Sequence, residues 1–470
     1  MMLLKDAIKE ITGLRYMVDE LNILTSAGRR TLLAQRMMTE EADIEEALDH
    51  LGRLSACYAD GANEQLFSLL STRMMQLHDI ANTIRHLSNR NVLTDIELFE
   101  IKSFSLLAQD IMQMISPLGL TYLRIPDLTV VIDLLDPEQK RIPHFYIYDR
   151  YSIVLAELRR RISLMINNNA DEVEIEDVRH QAQREEDKVR KHLSAKLVEH
   201  ADDLMLALDT LAYLDILIAR ADQGLGMGLV RPEIGTGETE YKGLFLPQLK
   251  DSLAQQGKTF QPVDIRLSQA PTLIMGANMA GKSVLLRSVA LAQALFQFGC
   301  FVPASRAKIV PVEKISLSIG DAEDTSRGLS SYAAEMLRVN DIIQAALHGT
   351  RQLVLVDELA RTTNPQEGSA IVCSVLDFLA EHKVAALVTS HYAVDTPCRK
   401  LRVKGFCEQK DPNHQISIEN INNFIDYSLE EAQDGEVPHE AIRIAEIIGI
   451  APQLLSRIHQ YIDKENPQTL

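Results

Sequence analysis

No apolar run in this chain reaches the ~20 residues needed to cross a bilayer as a helix, so a helical membrane span is excluded. The charged-then-apolar layout of a signal peptide is missing too: Met1-Met-Leu-Leu-Lys5-Asp6 runs straight into an amphipathic helical pattern. A cytoplasmic protein with no membrane partner is expected. Cysteine is scarce and scattered. Cys57, Cys300, Cys373, Cys398 and Cys407 are odd in number and show no C-x-x-C spacing, which fits neither zinc nor a disulfide framework. Reduced, mostly buried thiols are expected. Positive charge is in deficit, with a formal net charge of −18. Affinity for a phosphate backbone comes largely from Lys and Arg displacing counterions. The global field therefore opposes DNA, and any DNA contact would rest on a local basic patch.

At 470 residues the chain is too long for one ordinary core, and two or three domains are expected. Glycine is sparse up to about residue 225, and apolar residues recur there at three and four. The clearest stretch runs from Glu174 to Arg220. Val189, Leu193, Leu197, Leu204, Leu208 and Leu211 form a seam on one helix face, with charges around Arg184-Glu-Glu-Asp-Lys188 on the other. Read as one helix it would be ~70 Å long at 1.5 Å per residue. A seam of that length needs a partner, which predicts a helical arm or an antiparallel coiled pair; a long bundle helix is the plainer alternative. Leu134-Leu-Asp-Pro-Glu-Gln-Lys-Arg-Ile-Pro143 followed by His144-Phe-Tyr-Ile-Tyr148 predicts a turn and a short extended segment. Asn167-Asn-Asn169 marks a further break. Near Gly224-Leu-Gly-Met-Gly228 the composition shifts to short apolar runs alternating with helices. The expectation is a helical domain over 1–225 and an α/β domain over 226–470, an α + α/β chain.

The most telling stretch is Gly276-Ala-Asn-Met-Ala-Gly-Lys-Ser283, which reads G-x-x-x-x-G-K-S, the phosphate-binding loop of an NTPase. Thr272–Met275 predicts the strand that leads in, and Val284–Phe298 the helix that leads out. Glycines let backbone N–H groups approach the phosphates, and the helix N-terminus adds positive potential. Gly276, Ala277, Asn278, Met279, Ala280, Gly281, Lys282 and Ser283 are thus candidate nucleotide ligands, with Lys282 neutralising the β/γ-phosphates and the Ser283 hydroxyl on Mg²⁺. Leu353-Val-Leu-Val-Asp-Glu358 predicts a strand ending in two carboxylates: Asp357 fits a Mg²⁺-holding residue and Glu358 a residue that polarises the attacking water. Idle, solvated acids are the alternative, and the P-loop weighs against it. A third run, Ala385–Val388, ends in Ser390-His391, whose imidazole is within the chemistry of sensing the γ-phosphate. Ligands of open α/β sheets sit outside the carboxyl ends of the strands, and all three runs carry polar residues there. Phe260 precedes the first strand and suits an adenine stack, a core phenylalanine being the alternative. Finally, Ser330 or Ser331 opens an amphipathic helix as a natural N-cap, and such a helix start offers N–H groups to a phosphate.

Together these residues resemble the ATPase domain of the MutS proteins, a branch of the ABC-type ATPases. The P-loop looks like their G-P-N-M-G-G-K-S, Asp357-Glu-Leu-Ala-Arg361 like D-E-I-G-R, Thr389-Ser-His-Tyr392 like T-H-Y, and Gly328-Leu-Ser-Ser-Tyr-Ala-Ala-Glu-Met336 like G-R-S-T-F-x-x-E-M. Leu24-Thr-Ser-Ala-Gly-Arg-Arg30 is similar to the start of the family's core domain, and Val437-Pro438 through Gly449 to its closing helices. The resemblance implies a homodimer, or a heterodimer with a MutS-like paralogue, with two composite sites for ATP and Mg²⁺. Lys282, Ser283, Asp357, Glu358 and His391 would act in cis and Ser330 in trans. It also implies a family-level role in binding mismatched or branched DNA and in its repair.

The departures matter as well. The resemblance begins at the family's core domain, so its mismatch-reading and connector domains, and a nuclease domain, are expected to be absent. Phe406-Cys-Glu408 has the letters of the mismatch wedge but follows the third strand, and reads as coincidence. Ala280 stands for a glycine, Leu329 for an arginine, and Arg361-Thr-Thr-Asn-Pro365 for R-G-T-S-T. Acids outnumber bases along the arm. These features resemble divergent MutS-related ATPases without the mismatch domain, some of which accompany cobalamin-dependent aminomutases and are thought to reactivate them. Three readings follow: a DNA-structure sensor, an ATP-driven reactivating chaperone of a protein client, or a nucleotide-gated dimer of low turnover.

Overall fold

The computed structural model describes residues 2–276, 281–319, 331–361, 363–392, 394–406, 424–432 and 449–465. Its class is α + α/β, a long helical region followed by a mixed sheet region. The chain forms two compact units: residues 21–35 with 49–223, and residues 1–20 with 36–48 and 224–470. Among the described residues, no helix is long and apolar enough to cross a membrane.

The first unit is helical, with Asp95–Ile115 through its centre. Thr94 and Glu97 form a reciprocal cap at its start, each side chain taking the other's backbone N–H. Ile153–Asn167 and Glu172–Leu197 make a helical hairpin. Ser152 caps the first at 3.2 Å and Asp171 the second at 3.4 Å, and Asn169 turns between them at φ 52°. Arg159 to Glu186, at 2.7 Å, links the pair. The stretch from Glu174 to Arg220, read above as ~70 Å long if one helix, is two helical stretches joined by a 3-10 turn. A 3-10 turn at Val198–His200 separates Glu172–Leu197 from Ala201–Met227. Asp202 and Asp203 in the new first turn suit a helix N-terminus, and the seven-residue step from Leu197 to Leu204 straddles the break. The seam itself persists, with all six residues buried.

The predicted extended segment His144–Tyr148 lies outside helix and strand and is held by a buried charge. Lys102, with 0% exposure, donates from Nζ to Asp136 Oδ1 (3.0 Å), the His144 carbonyl (2.8 Å) and the Tyr148 hydroxyl (3.1 Å).

The second unit carries two sheets. Glu233–Ile234 (β1), Thr239–Leu244 (β2), Val263–Leu267 (β3) and Arg306–Ile309 (β5) form one, in the order β1-β5-β2-β3. The other contains Pro271–Met275 (β4), Lys314–Ser318 (β6), Gln352–Val356 (β7), Ala385–Thr389 (β8), Arg399–Phe406 (β9) and Ile425–Glu431 (β10), ordered β10-β9-β4-β8-β7-β6. All of its pairings are parallel except the β10 edge. β7 is buried throughout, the continuous apolar run of a parallel strand covered on both faces. Helices Ser331–Leu347 and Pro365–Glu381 pack with β4, β7 and β8 in one apolar cluster, while the buried helix Lys282–Gln297 lies on β6 and β7. The N-terminal helices Leu4–Glu10 and Leu14–Asp19 join this unit. Between them Gly13 turns at φ 89°, where a Cβ would stand 3.3 Å from Leu246 and Leu291, and Tyr16 donates to Asp251.

Among the described residues Cys57, Cys300, Cys373 and Cys398 form no disulfide, and each is half-buried rather than buried; they sit at element ends and helix flanks where packing is incomplete. Cys407 lies outside the described residues.

Candidate nucleotide site

Register brings the chemistry together. Ile274 pairs with Thr389, and Val356 pairs with Val388. The exits of β4, β8 and β7 are therefore side by side, and Gly276, Thr389 and Asp357 open on the same end of the sheet.

At the β4 exit Gly276 has φ 150° and Gly281 φ 75°. Gly281 is the N-cap of Lys282–Gln297. Its left-handed φ disfavours any side chain, and a Cβ there would stand 3.0 Å from the Tyr427 ring. Lys282, 5% exposed, donates from Nζ to the Gly276 carbonyl at 2.5 Å, which holds the ammonium against the loop. Ser283 follows, half-buried in the first helical turn, where backbone N–H groups have no intrahelical partner and favour an anion. Ala277, Asn278, Met279 and Ala280 lie outside the described residues.

At the β7 exit one hydroxyl organises both acids. Thr389 Oγ1 donates to Asp357 Oδ1 (2.7 Å) and accepts the Glu358 N–H (2.7 Å). The Leu359 N–H reaches the Thr389 carbonyl at 3.2 Å, and the Asp357 N–H that of Ser318 at 2.8 Å. The second Asp357 carboxylate oxygen has no partner among the described residues. With the Ser283 hydroxyl it offers the hard oxygen ligands that Mg²⁺ takes, so these side chains fit that ion. Glu358 stands at φ 50°, a strained region for a non-glycine residue, and its carboxylate pairs with Arg361 at 2.8 Å. His391 is exposed just beyond β8, its ring 4.2 Å from that of Tyr392.

Phe260 lines a cavity of about 230 Å³ with Leu253, Val263, Gly281, Val284 and Tyr427. The walls are fastened together: Gln261 Nε2 donates to Asp426 Oδ1 at 2.7 Å, and the Tyr427 N–H reaches Gln261 Oε1 at 3.3 Å. Burial pushes the Asp426 carboxyl up, but the Ser428 N–H, Gln261 and Lys404 outweigh it and hold the pKa at about 2. Burial also raises the Tyr427 hydroxyl. Phe260, Tyr427 and the loop glycine Gly281 thus share one cavity.

Ser331 opens the helix Ser331–Leu347; Ser330 and the loop before it, with Leu329, lie outside the described residues, as do Glu408 and the segment from Val437 to Ile448. One turn into that helix, the half-buried Glu335 accepts the Ala360 N–H at 3.0 Å, and partial burial raises its pKa. Sequence reading missed Thr389, Glu335, Tyr392 and Tyr427 as site residues. Thr389 and Tyr392 flank His391 inside a motif already singled out. Tyr427 had no local signal, because it arrives on an antiparallel edge strand far along the chain.

Residues 272–464 match the family model of MutS domain V. The chain is 30% identical over 282 residues to the DNA mismatch repair protein MutS of Rhodopseudomonas palustris (strain BisA53), a match covering 58% of this chain and 30% of that protein. It is 31% identical over 282 residues to the protein of the same name in Bradyrhizobium sp. (strain ORS 278), with 58% and 30% covered. To an Endonuclease MutS2 of Halalkalibacterium halodurans it is 28% identical over 309 residues, with 64% and 36% covered. The match thus spans about a third of the length of these relatives.

Proposed function

From its likeness to MutS domain V and to the MutS proteins, we propose that the chain is a member of the MutS family, binds and hydrolyses ATP with Mg²⁺ and works as a dimeric switch. The observation that carries this reading is the convergence of Lys282, Asp357, Glu358 and Thr389 on one end of the six-stranded sheet, beside the cavity lined by Phe260 and Tyr427. In this reading the purine enters between Phe260 and Tyr427. Lys282 and the helix N-terminus take the phosphates. Ser283 and the open Asp357 oxygen hold Mg²⁺, which offsets charge on the transferring phosphoryl group. Glu358 orients and polarises the attacking water, and His391 meets the γ-phosphate. Ser330 and Ser331 complete the site of a second subunit. The dimer partner is another copy or a MutS-like paralogue. The names of the relatives support mismatched DNA as what the switch reports on, with repair as its setting; branched DNA comes from the family resemblance.

A protein client is the second reading, and one observation favours it. At the tip of the helical hairpin Leu164, Ile166 and Val173 are exposed, beside the exposed acids Asp171, Glu172 and Glu174. Apolar patches mark protein interfaces, and acids repel phosphate. A cobalamin-dependent aminomutase is the client type that the family branch suggests.

Glu358→Gln is the test. Turnover should fall on the order of 10²–10⁴-fold while ATP binding persists and light scattering reports a dimer. Unchanged turnover would remove Glu358 from its role. The trapped variant, titrated with a four-way junction and a mismatched duplex at about 50 mM salt, decides between clients. Sub-micromolar binding supports DNA; no binding under those favourable conditions supports the protein client.

A further inference from the structure

We propose that Glu335 and Tyr392 are positioning residues that clamp the left-handed peptide at Ala360 and thereby hold Glu358 in its working orientation. This rests on the ATPase reading of the same site. Ala360 has φ 61°, and Glu358 two residues earlier has φ 50°. Neither is glycine, so the turn after β7 twice adopts a conformation that L-residues avoid. Such a turn persists only where its surroundings over-determine it.

The surroundings at Ala360 do so from both sides. Ala360 is fully buried, which leaves its peptide groups dependent on protein partners. Its N–H goes to Glu335 Oε1 at 3.0 Å, and its carbonyl accepts the Tyr392 hydroxyl at 2.9 Å. The same hydroxyl reaches the Thr363 carbonyl at 3.3 Å, spanning the turn. An independent feature shows that the Tyr392 ring is seated rather than incidental. Helix Pro365–Glu381 carries Gly368, where a Cβ would stand 2.5 Å from that ring. A glycine inside a helix is unfavourable for it, and here, in the first turn, it opens the niche the ring occupies.

The clamp joins two elements that meet nucleotide in the proposed mechanism. Glu335 lies four residues, one helical turn, beyond Ser331. Tyr392 adjoins His391, and its N–H is tied back to Ser390 Oγ at 3.1 Å. A shift of either element pulls on one peptide, two residues from the water-polarising acid. Glu358 is therefore held in place only when the helix start and the His391 segment are both seated.

The test uses the full chain. Glu335→Ala and Tyr392→Phe each remove one arm of the clamp, and Phe retains the ring in the Gly368 niche. The expected result is a kcat lower on the order of 10- to 100-fold with KM for ATP unchanged. Glu335→Gln keeps an acceptor oxygen and should retain activity. Ala360→Gly removes the conformational cost, and in either background it should restore much of the lost kcat. Hydrogen exchange at the amides of 358–361 should speed up in Glu335→Ala and Tyr392→Phe, a readout independent of turnover. Unchanged exchange in both variants overturns the clamp. So does a loss confined to KM, or a kcat loss that Ala360→Gly leaves untouched. Absence of ATP turnover in the wild-type chain, with exchange at 358–361 behaving as described, would instead overturn the ATPase reading and leave a clamp without that purpose.

Discussion

At Lys102 and at Asp357 the chain ties a charged side chain, fully buried in the first case and half-buried in the second, to neighbouring polar groups and bends the nearby backbone through left-handed residues. Gln139 and Arg141 do the bending near the first, Glu358 and Ala360 at the second. Strain alone therefore does not distinguish them. Saturation does. Lys102 finds three acceptors, and Asp136 returns one oxygen to Lys102 and the other to the Arg141 N–H at 2.6 Å. Every ammonium proton and both carboxylate oxygens have a partner. Asp357 spends one oxygen on Thr389 and keeps the other open, next to a half-buried Glu358. A closed polar network fixes structure; an open one offers chemistry.

Breaking the closed network should give the largest stability effect. Lys102→Ala strands a buried carboxylate, and the helical unit should lose about 3–5 kcal/mol in urea denaturation, whereas replacing Lys102 and Asp136 together with apolar residues should recover most of it. At the open network, Thr389→Val leaves the Glu358 N–H and one Asp357 oxygen unpaired. A loss of about 1–3 kcal/mol is expected, and turnover should fall with it, unlike at Lys102. Equal behaviour of the two variants in an ATPase assay would dissolve the distinction. Next in size is a cap. Thr94→Ala should cost about 1 kcal/mol in a thermal or urea melt of the helical unit, with the nucleotide site unaffected. The last effect is a pH dependence. Asp426 is held at about 2 in the folded chain, below the ordinary ~3.9 of a carboxyl. A depressed acid stabilises above its unfolded pKa and loses that contribution as pH falls through the folded one. The urea midpoint difference between wild type and Asp426→Asn should therefore be level above about pH 4 and close toward pH 2.

Much of this was legible locally. Buried parallel strands are unbroken apolar runs, and Leu273–Met275, Leu353–Val356 and Ala385–Val388 each end in polar residues, so β4, β7 and β8 and their order of chemistry could be read directly. The helical seam was equally plain, because one helix face needs only periodicity. What escaped was set by pairing at a distance. Thr389 becomes a hub only because β8 lies beside β7. Tyr427 faces Gly281 only through the β9–β10 edge. The break at Val198–His200 hides inside a seam whose period it does not disturb. The union of residues 1–20 and 36–48 with the sheet unit depends on contacts such as Gly13 against Leu291, which no local pattern announces.

That union has a consequence in time. The Tyr16 hydroxyl meets Asp251 across 235 residues of chain. At a synthesis rate of roughly 5–20 residues per second, the first helices wait roughly 10–50 s for the partner that will cover their apolar faces. During synthesis these helices wait with their apolar faces uncovered, and the sheet unit can close only once both they and the residues around Asp251 have emerged.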